Sequence, residues 1–297
     1  MNAIEVKHLT KAFGGLRAVD NLSVMFPRRV ATGLIGPNGS GKTTLMNLLT
    51  GTLSPDCGEI VINNSNAVGA ENFPPLQRVN PTDLRRLKIA RTFQDGRLIN
   101  QMSVVDNLLL AISKTGIVSG LMEFAGSTLN SPSLAKGRRL VSSPGVVDNN
   151  LSTTTPPCFD PSGQLGTPSP AKGNTERVET ILQKIHLYDH RDALAESLSY
   201  GQRKLLELGR AMIQDADVYL LDEPFTGLFP AVVEQVAELL GELKNKGKTL
   251  VIIEHNIGLI RRLCDNIIVL DHGHLLANGS PEEVLKNKQV QEAYLGV

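Results

Sequence analysis

The chain has 297 residues, enough for one large domain or two small ones with a buried core. Hydrophobic residues make up 41% and charged residues 20%, while thirty basic side chains balance thirty acidic ones, so no nucleic-acid partner is expected. Three scattered cysteines, Cys57, Cys158 and Cys264, argue against a disulfide scaffold or a zinc module and fit a reducing compartment. Met1 to Thr10 lacks the basic stretch and apolar core of a signal peptide. The longest apolar run, Leu108 to Met122, is broken by Ser113, Lys114 and Ser119 and does not reach membrane-spanning length. A membrane role is therefore expected only through a partner.

Ile4, Val6 and Leu9 lie in an extended opening segment, and Leu22, Val24 and Phe26 alternate with period two. Val30–Ile35 and Gly58–Ile62 are short apolar runs, so the first sixty residues read as strands. From Pro81 to Leu110 the pattern turns helical. Thr82 is placed to cap a helix carrying Leu84, Leu87 and Lys88, and Ser103-Val104-Val105-Asp106 has capping-box spacing. From about Lys114 to Asn174, serine, threonine, proline and glycine crowd together, as in Leu151-Ser-Thr-Thr-Thr-Pro-Pro. A helix can continue to Phe124. The rest, about 125–174, reads as a disordered or loosely attached insertion, because such a composition buries too little apolar area to offset backbone entropy.

Order returns at Thr175, where Val178, Ile181, Leu182 and Ile185 share a helical face. After Gly201, Leu205, Leu206, Leu208, Ala211 and Met212 suit a second helix, and Val218–Leu221 is a buried strand. Pro230 opens a helix that closes near Gly247, and Leu250–Ile253 and Ile267–Leu270 are further strands. Strand and helix alternate, which implies an α/β fold with a mainly parallel sheet and helices on its flanks.

The strongest chemical signal is Gly36-Pro37-Asn38-Gly39-Ser40-Gly41-Lys42-Thr43, between an apolar strand and a helix bearing Leu45, Met46, Leu48 and Leu49. This is the G-x-x-x-x-G-K-T spacing of a phosphate-binding loop. Its glycines let backbone N–H groups turn toward phosphate oxygens, and the helix adds the positive end of its dipole. Lys42 would reach the terminal phosphates and the Thr43 hydroxyl would meet Mg²⁺. The second signal is Val218-Tyr219-Leu220-Leu221-Asp222-Glu223, an apolar strand ending in two acids. Asp222 suits the Mg²⁺ shell and Glu223 suits activation of an attacking water.

Leu198-Ser199-Tyr200-Gly201-Gln202 lies shortly before those acids and resembles the L-S-G-G-Q motif of ATP-binding cassette (ABC) ATPases, with Tyr200 in the third place. Arg91-Thr92-Phe93-Gln94 resembles the family's Q-loop, Ile253-Glu254-His255-Asn256 its switch histidine, and Lys11-Ala12-Phe13-Gly14-Gly15 the loop whose aromatic ring stacks on adenine. The resemblance covers Asn2 to about Leu110 and Thr175 to the C-terminus. It implies a P-loop NTPase core with an N-terminal antiparallel β subdomain, and a helical subdomain at about 82–215 holding the insertion. The whole of 1–297 is then a single ABC ATPase domain.

The resemblance also assigns roles. Phe13, Gly36, Asn38, Gly39, Ser40, Gly41, Lys42, Thr43 and Thr44 would hold ATP. Ser199, Gly201 and Gln202 would close over the γ-phosphate held by a second chain, which makes a homodimer or a paired homologue an expected partner. Thr43, Gln94 and Asp222 would attend Mg²⁺, and Glu223, His255 and Gln94 would perform hydrolysis. Within the family, Phe13-Gly14-Gly15-Leu16-Arg17-Ala18-Val19 and Asn278-Gly279-Ser280-Pro281-Glu282-Glu283-Val284 resemble the ATPase subunits of branched-chain amino-acid importers; those for urea, amides and lipopolysaccharide are similar. Integral membrane permease subunits, and indirectly a solute-binding protein, would be partners at the cytoplasmic face of the membrane. The competing reading is a soluble ABC ATPase acting on nucleic acid or the ribosome, which the neutral charge and single cassette disfavour.

One stretch departs from the family. After Glu223-Pro224 the family pattern is small-Gly/Ala-Leu-Asp/Asn, whereas this chain has Phe225-Thr226-Gly227-Leu228-Phe229. In the family this loop lines the dimer seam, so two bulky rings, Phe225 and Phe229, are expected to bear on hydrolysis and coupling.

Overall fold

The apolar residues of the central strands divide by parity between two cores, one on each side of a six-stranded sheet. The computed structural model describes residues 1–63, 83–92, 98–113 and 172–295. The sheet runs in the order β5 (Ile89–Arg91), β6 (Val218–Asp222), β7 (Thr249–Ile253), β3 (Ala31–Ile35), β8 (Asn266–Asp271) and β9 (His274–Gly279). The first five are parallel, and β9 turns back antiparallel on β8. All five residues of β3, of β6 and of β7 are buried, which explains why their sequence shows apolar runs rather than alternation.

On one side, Val218, Leu220, Val251, Ile253, Ile268 and Leu270 join α1 (Lys42–Leu49) and a three-stranded antiparallel sheet in one core. That second sheet has the order β2 (Leu16–Pro27), β1 (Asn2–Phe13), β4 (Cys57–Ile62) and contributes Ile4, Val6, Leu22, Val24 and Phe26. On the other side, Tyr219, Leu221, Leu250, Ile252, Ile267 and Val269 pack with helices. These are α3 (Val104–Ile112), α4 (Lys172–Lys184), α5 (Tyr200–Met212), α6 (Pro230–Asn245) and α7 (Ile257–Leu263), each with residues in that core or packed on it. Each Leu or Ile removed from water here contributes about 2 kcal/mol. The expected α/β core with an N-terminal antiparallel β unit is what the chain forms.

The local signals differ in how they came out. Ser103 caps α3 through a 3.1 Å bond from the Asp106 amide, and Pro230 is the first residue of α6. The helical reading from Pro81 to Leu110 needs correction. Its second half is α3, but among the described residues before Leu98 only Asp83–Arg86 is helical (α2), Lys88 turns the chain at φ 52, and Ile89–Arg91 is strand β5 beside β6. Three residues, two of them buried apolar ones, carry no readable period. Thr82, expected to cap a helix, and the insertion expected at about 125–174 lie outside the described residues, apart from Lys172–Asn174, which open α4 three residues before Thr175. Strand β9 and helix α7 had no sequence signal: β9 is an edge strand with no buried residue, and α7 has only seven residues.

Cys57 and Cys264 are free thiols, and burial pushes the Cys264 thiol up to about 12, so it is inert packing. No helix among the described residues is long and apolar enough to cross a membrane.

A fully buried asparagine organises the approach to α3. Asn107 Oδ1 accepts from the Ile99 amide (3.0 Å), and its Nδ2 donates to the Ile99 and Ser103 carbonyls at 3.1 and 3.0 Å. Replacing it with leucine leaves the Ile99 amide without its acceptor and takes one of two donors from each of the Ile99 and Ser103 carbonyls. Asn107→Leu should therefore destabilise the fold by about 2–3 kcal/mol, measured by denaturant unfolding.

Candidate nucleotide site

Beyond Ile35 the chain leaves β3 and turns through Gly36–Gly41 into α1. Gly36, Gly39 and Gly41 hold φ values of 150°, 81° and 99°, which other residues rarely adopt. Space is limiting at two of them. A Cβ on Gly36 would stand 2.1 Å from the Leu270 carbonyl oxygen, and one on Gly41 2.3 Å from that of Ala18. The loop rests on its neighbours: the Gly273 amide donates to the Ser40 carbonyl at 3.2 Å, and the Asp20 amide to the Gly273 carbonyl at 3.0 Å.

Lys42 is folded into the loop. Its Nζ donates to the carbonyls of Gly36 (2.8 Å) and Pro37 (2.9 Å), and only 6% of the residue is exposed. Burial lowers its pKa, and the carboxylates of Glu223 and Asp222 pull it back up. Ser40 is buried, Asn38, Gly39 and Thr43 are exposed, and Thr44 is half-buried. As Gly41 has no side chain to cap α1, the first-turn N–H groups are left for an anion.

Asp222 closes β6 and is 2% exposed. Its Oδ2 lies 3.7 Å from Arg91 Nη2, and its Oδ1 has no hydrogen-bond partner among the described residues. Burial raises the Asp222 carboxyl above its ordinary range, while Arg91, Lys204 and Lys42 draw it down. Arg91 also donates to Thr50 Oγ1 (2.7 Å) and Asn47 Oδ1 (2.8 Å), tying β5 to α1 beneath the loop. A buried carboxylate oxygen without a partner costs about 1–3 kcal/mol and is a ready ligand for a hard cation. Asp222 Oδ1 with the exposed Thr43 hydroxyl therefore fits Mg²⁺, which binds through few protein oxygens and keeps water. No group of three or more His, Cys, Asp or Glu side chains among the described residues offers a denser metal site.

Glu223 follows in the left-handed region at φ 48, a strained setting for a residue with a side chain. One carboxylate oxygen is 3.0 Å from His255 Nε2, and the other accepts from Thr226 Oγ1 at 3.2 Å. Glu254, directly after β7, is 4% exposed and spans two loops. Its oxygens accept from the Phe225 amide at 3.0 Å and the His255 amide at 3.1 Å. Burial raises this carboxyl, and the amides of Phe225, His255 and Asn256 lower it.

Ser199, Gly201 and Gln202 stand elsewhere. Ser199 caps α5: its Oγ accepts from the Gln202 amide (3.3 Å), while Gln202 Oε1 accepts from the Ser199 amide (2.9 Å). Gly201 faces Val232 of α6, leaving 3.2 Å for a Cβ. Since α5 packs on the opposite face of the sheet from α1, these three are not gathered with the phosphate loop of their own chain. Phe13 is 48% exposed at the end of β1, paired with Leu16, with Lys11 Nζ 5.7 Å from its ring centre. Gln94 lies outside the described residues. The two aromatic departures separate: Phe225 is 5% exposed within the helical-side core, whereas Phe229 is 80% exposed. Only Phe229 is therefore free to meet another surface. Sequence reasoning gave no role to Arg91, Thr226 or Glu254. For Glu254 there was a signal, because an acid that ends a buried strand repeats the pattern of Asp222.

A glycine loop wrapped around a buried lysine, at the carboxyl ends of parallel strands, defines a P-loop nucleotide-binding domain. Residues 19–226 match the family described as ABC transporter, and residues 274–297 match that described as branched-chain amino acid ATP-binding cassette transporter. The chain belongs to the ABC transporter family, as an ATP-hydrolysing ATP-binding cassette. It is 34% identical to the high-affinity branched-chain amino acid transport ATP-binding protein LivG of Salmonella typhimurium, over 99% of this chain and 97% of that protein. It is also similar to the crystal structure of a nucleotide-free ATP-binding cassette from an ABC transporter, with a TM-score of 0.74 and 27% identity over all of both chains. The ADP conformation of such a cassette gives 0.70 at the same identity, again over all of both chains.

Gly36→Ala forces a Cβ against the Leu270 carbonyl and should displace the loop. ATP affinity is expected to fall at least about tenfold in equilibrium dialysis, with the far-ultraviolet circular dichroism of the fold retained.

Proposed function

We propose that this chain hydrolyses ATP to drive an importer for branched-chain or closely related amino acids. The observation that carries the hydrolytic part is the end of β6, where the Asp222–Glu223 pair faces Lys42 and Glu223 contacts His255 at 3.0 Å. The amino-acid part is supported by the full-length similarity to LivG and by the match at residues 274–297. Balanced charge and that full-length similarity favour transport over action on nucleic acid or the ribosome.

In this reading Phe13 stacks on adenine and Gly36–Thr44 cradle the phosphates with backbone N–H groups. Lys42 exchanges the Gly36 and Pro37 carbonyls for phosphate oxygens, which offset its burial. Thr43, Gln94 and Asp222 would hold Mg²⁺. The ion, when bound, neutralises charge that develops on the transferring phosphoryl group. Glu223 accepts a proton from the attacking water, and His255 holds Glu223 in place while facing the γ-phosphate. Catalysis is then mostly placement and electrostatics.

Ser199, Gly201 and Gln202 lie across the sheet from the loop, which favours their acting on a nucleotide held by a second cassette, either a copy or a homologue. Closure of that pair over ATP transmits work to integral membrane permeases at the cytoplasmic face, served by a solute-binding protein. A ligand drives such closure only through different affinities for the open and closed states.

Glu223→Gln should lower ATP turnover by at least about 100-fold while leaving ATP affinity within a few-fold. In cells lacking the chromosomal copy, wild type should restore uptake of labelled leucine and Glu223→Gln should not. Uptake of labelled urea or amide in place of leucine would move the substrate assignment. Uptake unchanged by loss of the gene would remove the transport reading.

A further inference from the structure

The phenol of Tyr200 does something the phosphate site itself does not require. Its hydroxyl donates to the Thr226 carbonyl at 3.2 Å, in the loop that departs from the family pattern. Its ring lies against Gly227, where an added Cβ would come within 3.1 Å of Cε1. Gly227 holds φ 75, so the loop bends there in a shape open to glycine and presents no side chain to the ring. Lys204, one turn along α5, stands 6.0 Å from the centre of the same ring.

Thr226 connects this contact to the acid pair. Its carbonyl takes the Tyr200 hydroxyl, and its own hydroxyl donates to Glu223 Oε2 at 3.2 Å. The other oxygen of Glu223 is the one that meets His255. We infer that Tyr200 and Thr226 form a positioning relay, which sets the Glu223 carboxylate from the first turn of α5. The same short loop is pinned at its start by Glu254 through the Phe225 amide. Two fixed points, one from β7 and one from α5, leave the Glu223 side chain with both oxygens directed and Phe229 held outward. Movement of α5 therefore reaches Glu223 through two hydrogen bonds of this chain. The inference rests on Glu223 acting on water as proposed above, and it extends the site to two residues that work through Glu223.

The test uses the full-length chain with Thr226→Val, Thr226→Ser, Tyr200→Phe and the double variant Tyr200→Phe/Thr226→Val. Both bonds are exposed, so each should be worth no more than a three- to tenfold change in kcat. Thr226→Val and Tyr200→Phe should lower kcat by that factor with KM for ATP within twofold, and Thr226→Ser should restore it. The double variant should lose no more than the worse single, because both act along one route. Amide hydrogen exchange at residues 226–228 should speed up several-fold in Tyr200→Phe, with thermal unfolding unchanged.

An unchanged kcat in Thr226→Val, an equal loss in Thr226→Ser, or losses that multiply in the double variant would each overturn the relay. Unchanged exchange in Tyr200→Phe would overturn it independently of any activity. Failure of the hydrolytic reading has a separate sign, which is wild-type turnover that survives Glu223→Gln.

Discussion

Strands buried on both faces can release charged side chains only at their ends, and this constraint places the phosphate loop and the acids around it. β3, β6 and β7 are buried along their whole length. At their carboxyl ends stand, in turn, the glycine loop, Asp222 with Glu223, and Glu254 with His255. The parallel arrangement brings those ends to one edge of the sheet, so groups far apart in sequence become neighbours without any loop having to search for them. β7 lies between β3 and β6, which is why Glu254 and His255 can reach across to the residues that follow β6.

The electrostatics follow from that crowding. Burial works against charge on Lys42 and Asp222 alike, and each restrains the other's shift. Arg91 enters as the third charge and spreads its guanidinium over Asn47, Thr50 and Asp222. Opposite charges placed close together in a poorly solvated site hold their ionised forms, yet Asp222 Oδ1 keeps no partner among the described residues. The site is thus polarised in advance, with Arg91 beside Oδ2 of Asp222 and Oδ1 left as an acceptor.

How much of this was legible in the sequence depends on the length scale of each signal. The loop Gly36–Thr43 was readable because its glycines are fixed by local backbone geometry, at φ 81 and 99 for Gly39 and Gly41. β6 and β7 were readable as apolar runs, and Ser103 and Pro230 as helix starts. β5 was not, since its three residues owe their conformation to pairing with β6, more than one hundred residues away. Arg91 escaped for the same reason, since a buried charge is defined by what surrounds it and its partners come from α1 and β6, whereas the position of Glu254 at a strand end was legible and its bond to the Phe225 amide was not. Ser199 gave a mixed lesson, as the capping geometry and the family motif call for the same serine, and within one chain the cap is what forms.

Strand β9 has a further consequence, which concerns solubility. Among the described residues the sheet has two open edges. One is β5, only three residues long, and the other is β9, polar or half-exposed along its length, with His274 and Asn278 on it. Directly inside β9 is β8, where Ile267–Leu270 are buried. An apolar strand of that kind, if it were the edge, would be a template for pairing with another chain. The residues from His274 onward thus act as a guard rail for the sheet, so shortening the chain from its C-terminal end would make the cassette prone to edge-to-edge association, before the phosphate loop had lost a single residue.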